Sequence, residues 1–299
     1  MNAEKLYAFA DRERVRMNEP LARHTTFRVG GPADLFFLPK NAEEVARALR
    51  LCREEGEPCL VMGNGSNLLV RDGGVRGLVV KLGEPMSSIR VEGHSIRAQA
   101  GASLSAVSRA ALQASLTGLE FAAGIPGSLG GGMAMNAGAY GGELSQVVRE
   151  ATVLLHGEVQ VLTREQLQMG YRTTRVLREG GVVLEAVLDL QPGDPEQIRA
   201  QMEELNRRRR EKQPLSYPSA GSTFKRPAGY FAGALIEQAG LKGYSIGDAQ
   251  VSELHAGFVI NRGRATAADL LALIRHVQQT VYEASGVRLE TEVRICGVD

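Results

Sequence analysis

The segment from Gly124 to Gly142 constrains this chain more than any other part of its sequence. It reads GIPGSLGGGMAMNAGAYGG, and eight of its nineteen residues are glycine. Because glycine loses much conformational entropy on folding, such a dense run needs a structural reason. Ile125 and Leu129 are interleaved with the glycines, which is not typical of a flexible linker. The segment predicts either a floor for a large flat or anionic cofactor, reached through bare backbone N–H groups, or a tightly packed turn system without a ligand. Taken alone, it leaves both interpretations open.

A second segment of small residues follows a predicted strand. The strand Cys59–Met62 runs directly into Gly63-Asn64-Gly65-Ser66-Asn67. A nest of small polar residues at a strand end suits a diphosphate, but an ordinary β-turn has the same composition. The P-loop pattern and the GxGxxG fingerprint are both absent from the chain. Any dinucleotide would therefore be held by neither of these two loops.

Composition excludes several classes of function. The 299 residues carry a net charge of +1, which predicts no bulk attraction to nucleic acid or to an anionic membrane. No apolar run approaches the ~20 residues needed to span a bilayer. The charged N-terminus does not resemble a secretory signal, so we expect a cytoplasmic protein without a membrane partner. Cys52, Cys59 and Cys296 have no metal-binding or redox spacing, and we predict no metal site and buried packing roles for them.

Capped helices and short strands alternate along the chain. Residues 1–18 predict a short leading helix, and residues of the N-cap type precede five further helices: Asn41, Ser103, Thr163, Asp194 and Thr266. Alternating segments that turn at Glu92-Gly93 and His156-Gly157 predict hairpins. The PGDP break at 192–195 predicts a domain boundary after residue 192. Four arginines, Arg207–Arg210, predict a solvated helix C-terminus.

Two C-terminal segments carry polar residues that have two interpretations. The loop Ser219–Pro227 holds hydroxyls and two cations between prolines, which suits an anion or substrate site, or an ordinary turn with a helix N-cap. The segment Val287–Ile295 alternates with period two, which predicts a strand. One side of that strand would carry Leu289, Thr291, Val293 and Ile295. The other side would carry Glu290, Glu292 and Arg294, and a solvent-facing surface is the default for these charges.

Six motifs, in this order along residues 21 to 297, resemble the MurB family of UDP-N-acetylenolpyruvoylglucosamine reductases. They are HTTFRVGGPA, GNGSNLL, AGIPGSLGGGMAMNAGAYG, GYR, SAGSTFKRP and LETEVR. The resemblance implies an α+β fold: an FAD-binding domain of the p-cresol methylhydroxylase type, made of two α/β subdomains, and a smaller α+β substrate-binding domain. We expect the FAD domain at 1–192, with subdomains at about 1–82 and 83–192, the substrate domain at 193–285, and a C-terminal strand, 286–299, that returns to the active site.

The resemblance also implies an activity. Members of this family oxidise NADPH through non-covalent FAD and reduce the enolpyruvyl ether of UDP-N-acetylglucosamine to UDP-N-acetylmuramate, a cytoplasmic step of peptidoglycan precursor synthesis. The oligomeric state does not follow from the resemblance. Two alternatives stay open, namely another flavin-dependent oxidoreductase of the same fold and a non-redox nucleotide-binding protein.

Three catalytic roles follow from the matched motifs. Arg172 would bind and polarise the substrate carboxylate, and a bidentate task of this kind suits guanidinium. Ser222 would protonate C2 of the enolate. Glu292 would donate a hydrogen bond to the developing enolate and would therefore leave the solvent-facing side, whereas Glu290 and Arg294 would stay there.

The binding residues are implied in the same way. The expected FAD contacts are Arg28, Gly63, Asn64, Gly65, Ser66, Asn67, Gly124, Ile125, Pro126, Gly127, Ser128, Gly130, Gly131, Asn136, Ala137, Gly138 and Tyr140. The expected substrate contacts are Tyr171, Lys225 and Arg226, the two cations being candidates for the UDP diphosphate.

The chain departs from the family pattern after the GYR motif. The family often continues YRxSxF, whereas here Thr174 keeps the hydroxyl and Val176 replaces the aromatic residue. The chain also resembles the compact subtype, which lacks an extra tyrosine-bearing loop over the substrate.

Overall fold

The computed structural model describes residues 2–299, and its backbone contacts divide the chain into two compact units. The first unit comprises the chain up to Met17, Leu35–Asn64 and Gly77–Arg209, and the second comprises Asn18–Asp34, Gly65–Arg76 and Arg210–Asp299. The domain boundaries expected from the sequence, 1–192, 193–285 and 286–299, stay a prediction.

Helices and strands are mixed along the whole chain, as expected for the α+β class. The strands are β1 Val15–Pro20, β2 Pro32–Phe37, β3 Cys59–Met62, β4 Leu68–Val70, β5 Val75–Lys81, β6 Ile89–Glu92, β7 Ser95–Gln99, β8 Leu116–Thr117, β9 Gly138–Ala139, β10 Gly142–Glu143, β11 Val148–Leu155, β12 Glu158–Thr163, β13 Val182–Asp189, β14 Gln191–Pro192, β15 Ser245–Ile246, β16 Ala249–Val251, β17 Val259–Asn261 and β18 Arg294–Cys296. The helices are α1 Ala3–Tyr7, α2 Ala42–Glu55, α3 Leu104–Gln113, α4 Leu129–Ala134, α5 Arg164–Leu167, α6 Arg175–Arg178, α7 Pro195–Lys212, α8 Ala232–Gln238 and α9 Ala267–Ser285.

An antiparallel five-stranded sheet dominates the first unit. Its strand order is β12-β11-β13-β7-β6, and both predicted hairpins lie in it. Helices α3 and α4 contact this sheet, and one apolar core forms between them, with Leu104, Leu129 and Val153 buried in it. The alternating residues of the strands therefore bury one face against helices, as period-two patterning requires.

A second sheet in the order β1-β2-β5-β3 includes the parallel pair β3 and β5. Helix α2 begins as predicted, because the Asn41 side chain accepts a hydrogen bond from the Glu44 N–H at 2.9 Å. The Glu44 carboxylate in turn accepts a hydrogen bond from Arg14 Nη2 at 2.9 Å. The leading helix is shorter than predicted, since it ends at Tyr7 and a strand begins at Val15.

The second unit has its own core between a three-stranded sheet, β15-β16-β17, and helices α8 and α9. Thr266 caps α9 as predicted, by accepting a hydrogen bond from the Asp269 N–H. The Asp72 carboxylate also accepts hydrogen bonds from the N–H groups of Ala267 and Ala268, both at 2.9 Å. A carboxylate at this end favours the helix through the macrodipole and fixes the chain beside β4.

Three expectations need correction. The predicted strand 287–295 is regular only over β18, where it pairs in parallel with β4, and Ile295 is 40% exposed. Cys59 is exposed, so only Cys52 has the buried packing role. Helix α7 runs on to Lys212, and Arg209 within it is buried and not solvated.

Candidate functional site

In the first unit, Arg172 lies in a tight turn with an unfavourable backbone conformation. The turn is closed by the Gly170 N–H, which donates to the Thr173 carbonyl at 2.9 Å. Arg172 has φ +55°, a left-handed conformation that costs roughly 1–2 kcal/mol for a residue with a Cβ. Its guanidinium carbon lies 5.3 Å from the centroid of the exposed Tyr171 ring. The turn therefore presents a planar cation and an aromatic ring together.

Asn136, from the glycine-rich segment, joins this turn. It is buried, and its side-chain amide donates to the Gly170 carbonyl at 3.2 Å while its Oδ1 accepts from the Ser145 N–H at 2.9 Å. Its own carbonyl accepts a hydrogen bond from Arg172 Nη1 at 3.5 Å. The structure thus brings two predicted site residues, Asn136 and Arg172, into direct contact.

Backbone strain is concentrated at predicted site residues. Half of the eight non-glycine residues with positive φ among residues 2–299 belong to that set: Arg28, Asn136, Tyr140 and Arg172. Such conformations persist where the surrounding structure imposes them, and they are frequent at functional sites. Sequence patterns gave no sign of this strain.

Half of the eight glycines in the Gly124–Gly142 segment (Gly124, Gly130, Gly138 and Gly142) would place a Cβ less than 3.0 Å from another atom of the protein. A Cβ on Gly130 would lie 2.7 Å from the Ala100 Cβ, and one on Gly142 would lie 2.5 Å from the Phe121 ring. The N–H of Gly130 donates to the Ala100 carbonyl at 2.9 Å, so it does not face a ligand. At Gly131, by contrast, the nearest atom to such a Cβ is Ser128 Oγ at 3.5 Å, and the residue is exposed. The packed-turn interpretation therefore accounts for much of the segment.

The two small-residue segments meet within the first unit. A Cβ on Gly63 would lie 2.0 Å from Ser128 Oγ, so a side chain there would have to displace the Ser128 hydroxyl. The Asn64 amide donates to the Pro126 carbonyl at 3.3 Å. Other predicted FAD contacts of the Gly124–Gly142 segment belong to the structure around the core of the first unit. Ile125 and Ala137 are half-buried and pack against that core. The Gly127 carbonyl accepts a hydrogen bond from the Leu104 N–H, and Gly138 lies in β9.

Gly65, Ser66 and Asn67 belong to the second unit, where Gly65 packs against the His24–Thr26 segment. A Cβ on Gly65 would lie 2.1 Å from the His24 carbonyl oxygen, and the Thr26 N–H donates to the Gly65 carbonyl at 3.3 Å. Within residues 2–299, Thr26 Oγ1 is the buried side-chain oxygen or nitrogen left without a hydrogen-bond partner. An unsatisfied buried hydroxyl costs about 1–3 kcal/mol, which a polar ligand group would relieve. This orphaned hydroxyl beside the predicted diphosphate loop fits a bound dinucleotide.

In the second unit, Thr223 joins the backbone segment that carries Ser222 to the segment that carries Glu292. Thr223 is fully buried, and its carbonyl accepts from the Glu292 N–H at 2.8 Å. Its own N–H donates to the Gly257 carbonyl at 2.9 Å, and its hydroxyl accepts from the Val259 N–H at 3.0 Å. The exposed Ser222 therefore extends from a residue that is fixed on several sides.

Glu292 differs from its neighbours as predicted, because it is half-buried whereas Glu290 and Arg294 are exposed. The carbonyl of Glu292 accepts a hydrogen bond from Asn67 Nδ2 at 3.0 Å. Glu290 instead pairs with Lys225, whose Nζ lies 2.9 Å from Glu290 Oε2. The guanidinium of Arg226 stacks 4.0 Å from the centroid of the Phe231 ring. Lys225 would exchange a surface ion pair for an anionic ligand at little cost, since such pairs are worth about 0–1 kcal/mol.

Sequence reasoning missed Arg209 of α7. Arg209 is 9% exposed, and its Nε would lie 2.8 Å from a Cβ on Gly124. Its guanidinium carbon lies 5.8 Å from the centroid of the Tyr140 ring, and burial lowers its pKa. A signal was available, because Ile198, Met202 and Arg209 recur at helical spacing on the buried face of α7.

The described residues also bear on metal binding and on membrane insertion. Within the described part of the chain, no three or more His, Cys, Asp or Glu side chains are grouped so as to hold a metal ion. Among the helices of residues 2–299, none is both long enough and apolar enough to cross a membrane.

Two family models match the chain. Residues 33–163 match the FAD binding domain, and residues 213–296 match the C-terminal domain of UDP-N-acetylenolpyruvoylglucosamine reductase. The first match includes both small-residue segments, and the second includes Ser222 and Glu292.

Full-length relatives agree with these matches. The chain is 51% identical over 298 residues to the UDP-N-acetylenolpyruvoylglucosamine reductase of Clostridium kluyveri, covering 99% of this chain and 98% of that protein. It is 52% identical over 295 residues to the enzyme of the same name from Geobacillus thermodenitrificans, covering 98% and 97%. A crystal structure of UDP-N-acetylenolpyruvylglucosamine reductase (MurB) from Thermus caldophilus superimposes with a TM-score of 0.82 at 36% identity, covering 94% of this chain and 97% of that one. The fold class expected from the sequence is therefore confirmed, and the chain belongs to the UDP-N-acetylenolpyruvoylglucosamine reductase family.

Proposed function

We propose that this chain is an FAD-dependent reductase that uses NADPH to convert UDP-N-acetylglucosamine enolpyruvate into UDP-N-acetylmuramate, in the cytoplasm. A hydride added at C3 and a proton added at C2 turn the enolpyruvyl ether into the lactyl ether. The observation that carries the proposal is the hydrogen bond from the Glu292 N–H to the carbonyl of Thr223, the residue next to Ser222, which pairs the two backbone segments. A hydroxyl and a carboxyl carried on paired segments would suit an enolate that must be both stabilised and protonated.

The chain offers FAD a polar group that is otherwise unsatisfied. The buried Thr26 hydroxyl, beside Gly65, has no hydrogen-bond partner among the described residues of the protein and would gain one from the bound dinucleotide. When bound, FAD supplies hydride transfer between NADPH and the substrate. The residues that would hold it are Arg28, Gly63–Asn67, Gly124–Ser128, Gly130, Gly131, Asn136–Gly138 and Tyr140. We propose that these residues contact FAD. Gly63, Gly124 and Gly130 have a structural role as well, because a side chain at any of these positions would clash with neighbouring atoms of the protein.

Arg172 is proposed to bind the substrate carboxylate. A planar guanidinium can donate two parallel hydrogen bonds to a carboxylate. As C2 gains electron density, the carboxylate shares the charge, so the interaction strengthens toward the transition state. The strained turn that carries Arg172 fixes its direction in advance.

Ser222 is proposed to donate the proton to C2, and Glu292 to donate a hydrogen bond to the enolate from its protonated carboxyl. Serine is a weak acid, but an enolate is a strong base, and the nearby cation of Lys225 favours loss of the hydroxyl proton. Tyr171, Lys225 and Arg226 are proposed to contact the rest of the substrate, the two cations binding its diphosphate.

An anaerobic stopped-flow experiment on the purified holoprotein tests this function. Visible absorbance should be lost when NADPH is added and should return when UDP-N-acetylglucosamine enolpyruvate is added. With Ser222→Ala, we expect an unchanged loss and a return slowed by about 10²–10⁴-fold, the usual contribution of a general acid.

Three outcomes would contradict the proposal in different ways. Colourless protein that does not take up FAD would indicate a non-redox nucleotide-binding protein. Reduction by NADPH without reoxidation by this substrate in the wild type would indicate a flavoenzyme for another acid. Normal reoxidation in Ser222→Ala would remove Ser222 from the role of proton donor.

A further inference from the structure

Asn67 ends the predicted diphosphate loop, but its side chain is directed to another part of the protein. Its Nδ2 donates to the carbonyl oxygen of Glu292 at 3.0 Å, a hydrogen bond between residues 225 positions apart in the chain. The backbone carbonyl of Asn67 accepts from the Arg294 N–H at 3.0 Å. Asn67 therefore bonds to the peptide groups on both sides of Val293.

The backbone of Glu292 is held from two directions. Its carbonyl is bound by Asn67, and its N–H donates to the Thr223 carbonyl at 2.8 Å. A residue whose N–H and C=O are both bonded to different segments has little freedom to rotate about its own φ and ψ. Because the Cα–Cβ direction follows from the backbone, these bonds fix where the carboxyl group begins.

The topology of the second unit explains why Asn67 reaches this point. Asn67 immediately precedes β4, and Glu292 lies two residues before β18. These two strands pair in parallel, with Arg294 opposite Leu68. The loop that enters β4 and the segment that enters β18 therefore run side by side at the same end of the pair.

We propose that Asn67 is a positioning residue for Glu292: its side chain serves the carboxyl group of the protonation machinery, and the contact with FAD proposed above for Asn67 is left to its backbone. The inference rests on the proposed function, since it gives Glu292 a task to be positioned for. It also implies that the loop Gly63–Asn67 joins two parts of the reaction, because its last residue fixes a residue that acts on the substrate.

The variant Asn67→Leu tests this, since leucine has nearly the same shape and cannot donate the hydrogen bond. We expect the FAD dissociation constant and the rate of reduction by NADPH to stay within about threefold of wild type. Reoxidation by UDP-N-acetylglucosamine enolpyruvate should slow by about 10- to 100-fold, the loss that displacement of a catalytic group by about 1 Å produces. The effect should fall on kcat more than on KM.

Gln278 provides a matched control. Its side-chain amide donates to the Leu289 carbonyl at 2.8 Å, the same type of bond to the same C-terminal segment three residues upstream of Glu292. Gln278→Met removes that bond with little change of shape, and Gln278 has no proposed role in catalysis or binding. We expect all the rates measured for Gln278→Met to stay within about twofold of wild type, because one such bond is worth only about 1 kcal/mol of stability.

The possible results separate the roles. A raised FAD dissociation constant with normal reoxidation of the bound cofactor would make Asn67 a cofactor ligand and overturn the inference. Equal slowing in Asn67→Leu and Gln278→Met would show that both side chains only stabilise the C-terminal segment in general. That result would also overturn the inference. If wild-type protein is not reoxidised by the substrate, the proposed function fails first. If Glu292→Ala leaves reoxidation unchanged in an otherwise active enzyme, the role of Glu292 fails, and the inference fails with it.

Discussion

The turn that carries Arg172 and the segment that carries Glu292 are held by different physical means. Arg172 lies in a short local turn, Gly170–Thr173, with its own backbone in the left-handed region. Glu292 is held by hydrogen bonds from two segments that are distant in sequence, through Asn67 and Thr223. A strained local turn presents one group in a fixed direction, whereas long-range pairing sets one group relative to another. We infer that Arg172, the proposed carboxylate-binding group, depends on its own turn, and that Ser222 and Glu292, the proposed protonating pair, depend on tertiary structure.

The largest effect should come from changing the Arg172 guanidinium without changing its turn. Arg172→Lys keeps the charge but loses the planar pair of donors, so we expect kcat/KM for the enolpyruvyl substrate to fall by about 10²–10³-fold, as when one transition-state donor is removed. Reduction by NADPH should be unaffected, and steady-state and stopped-flow kinetics would measure both. A loss of less than about threefold would show that a point charge suffices and that the fixed direction of the turn is unimportant.

Much of the local structure followed from the sequence, and the reason is that its causes are local. Asn41, Ser103, Thr163 and Thr266 each cap the helix that was predicted to start after them. A side chain that accepts a hydrogen bond from an N–H two or three residues away leaves a signature in a short stretch of sequence. The two hairpins were predictable for the same reason, since each turn and its strands are contiguous.

The C-terminal segment was predicted less well because its pairing is not local. Period-two alternation predicted a strand over 287–295, yet a regular strand forms only over β18, whose partner β4 lies more than two hundred residues earlier, and Thr291 makes an isolated antiparallel bridge to Phe224. The expectation that Glu292 leaves the solvent-facing side came from the family resemblance, because nothing in the alternating pattern separates Glu292 from Glu290. Arg209 was misjudged because a run of four arginines suggests solvent, whereas the face of α7 decides which of them is buried.

A smaller effect should follow from loosening the support of the Arg172 turn. The buried Thr174 hydroxyl donates to the Ala134 carbonyl at 2.8 Å and accepts from the Leu177 N–H at 3.2 Å. Thr174→Val keeps the shape and leaves both groups unpaired, so the free energy of unfolding should fall by about 1–3 kcal/mol. Denaturant unfolding would measure this, and Thr174→Ser should recover most of the loss.

The effect of Thr174→Val on catalysis would sharpen the comparison. If the turn alone fixes Arg172, KM for the enolpyruvyl substrate should rise while the rate of protonation at saturating substrate stays near that of the wild type. An unchanged KM with slower protonation would instead show that the Arg172 turn affects the proton transfer assigned to Ser222 and Glu292. The contrast between the two regions would then not hold.

The smallest effect concerns pH, and it should appear only on the Glu292 side. His255 accepts a hydrogen bond from the Gly257 N–H at its Nδ1 at 3.1 Å, and the Gly257 carbonyl in turn binds Thr223. Burial lowers the pKa of His255 below its ordinary 6.5, with Lys242 acting in the same direction and Glu237 opposing it. Protonation at Nδ1 would remove the acceptor for the Gly257 N–H, so the hydrogen bond between Gly257 and His255 requires the neutral imidazole.

The sign of the pH effect follows from linkage. Above pH 6.5 the imidazole is neutral in both states, so its contribution to stability is complete. As the pH falls below that value, the unfolded chain binds the proton first, and stability is lost until the pH passes the lowered pKa of the folded state. Hydrogen exchange between pH 7 and 5.5, corrected for intrinsic rates, should therefore show less protection at Thr223 and Glu292 and no change at Gly170–Thr173. The loss cannot exceed about 1.4 kcal/mol for each pH unit. His255→Asn, which does not titrate, should abolish the difference. If the pH response persisted in this variant, or were equal in both regions, His255 would not be the residue that supports the long-range pairing through Thr223.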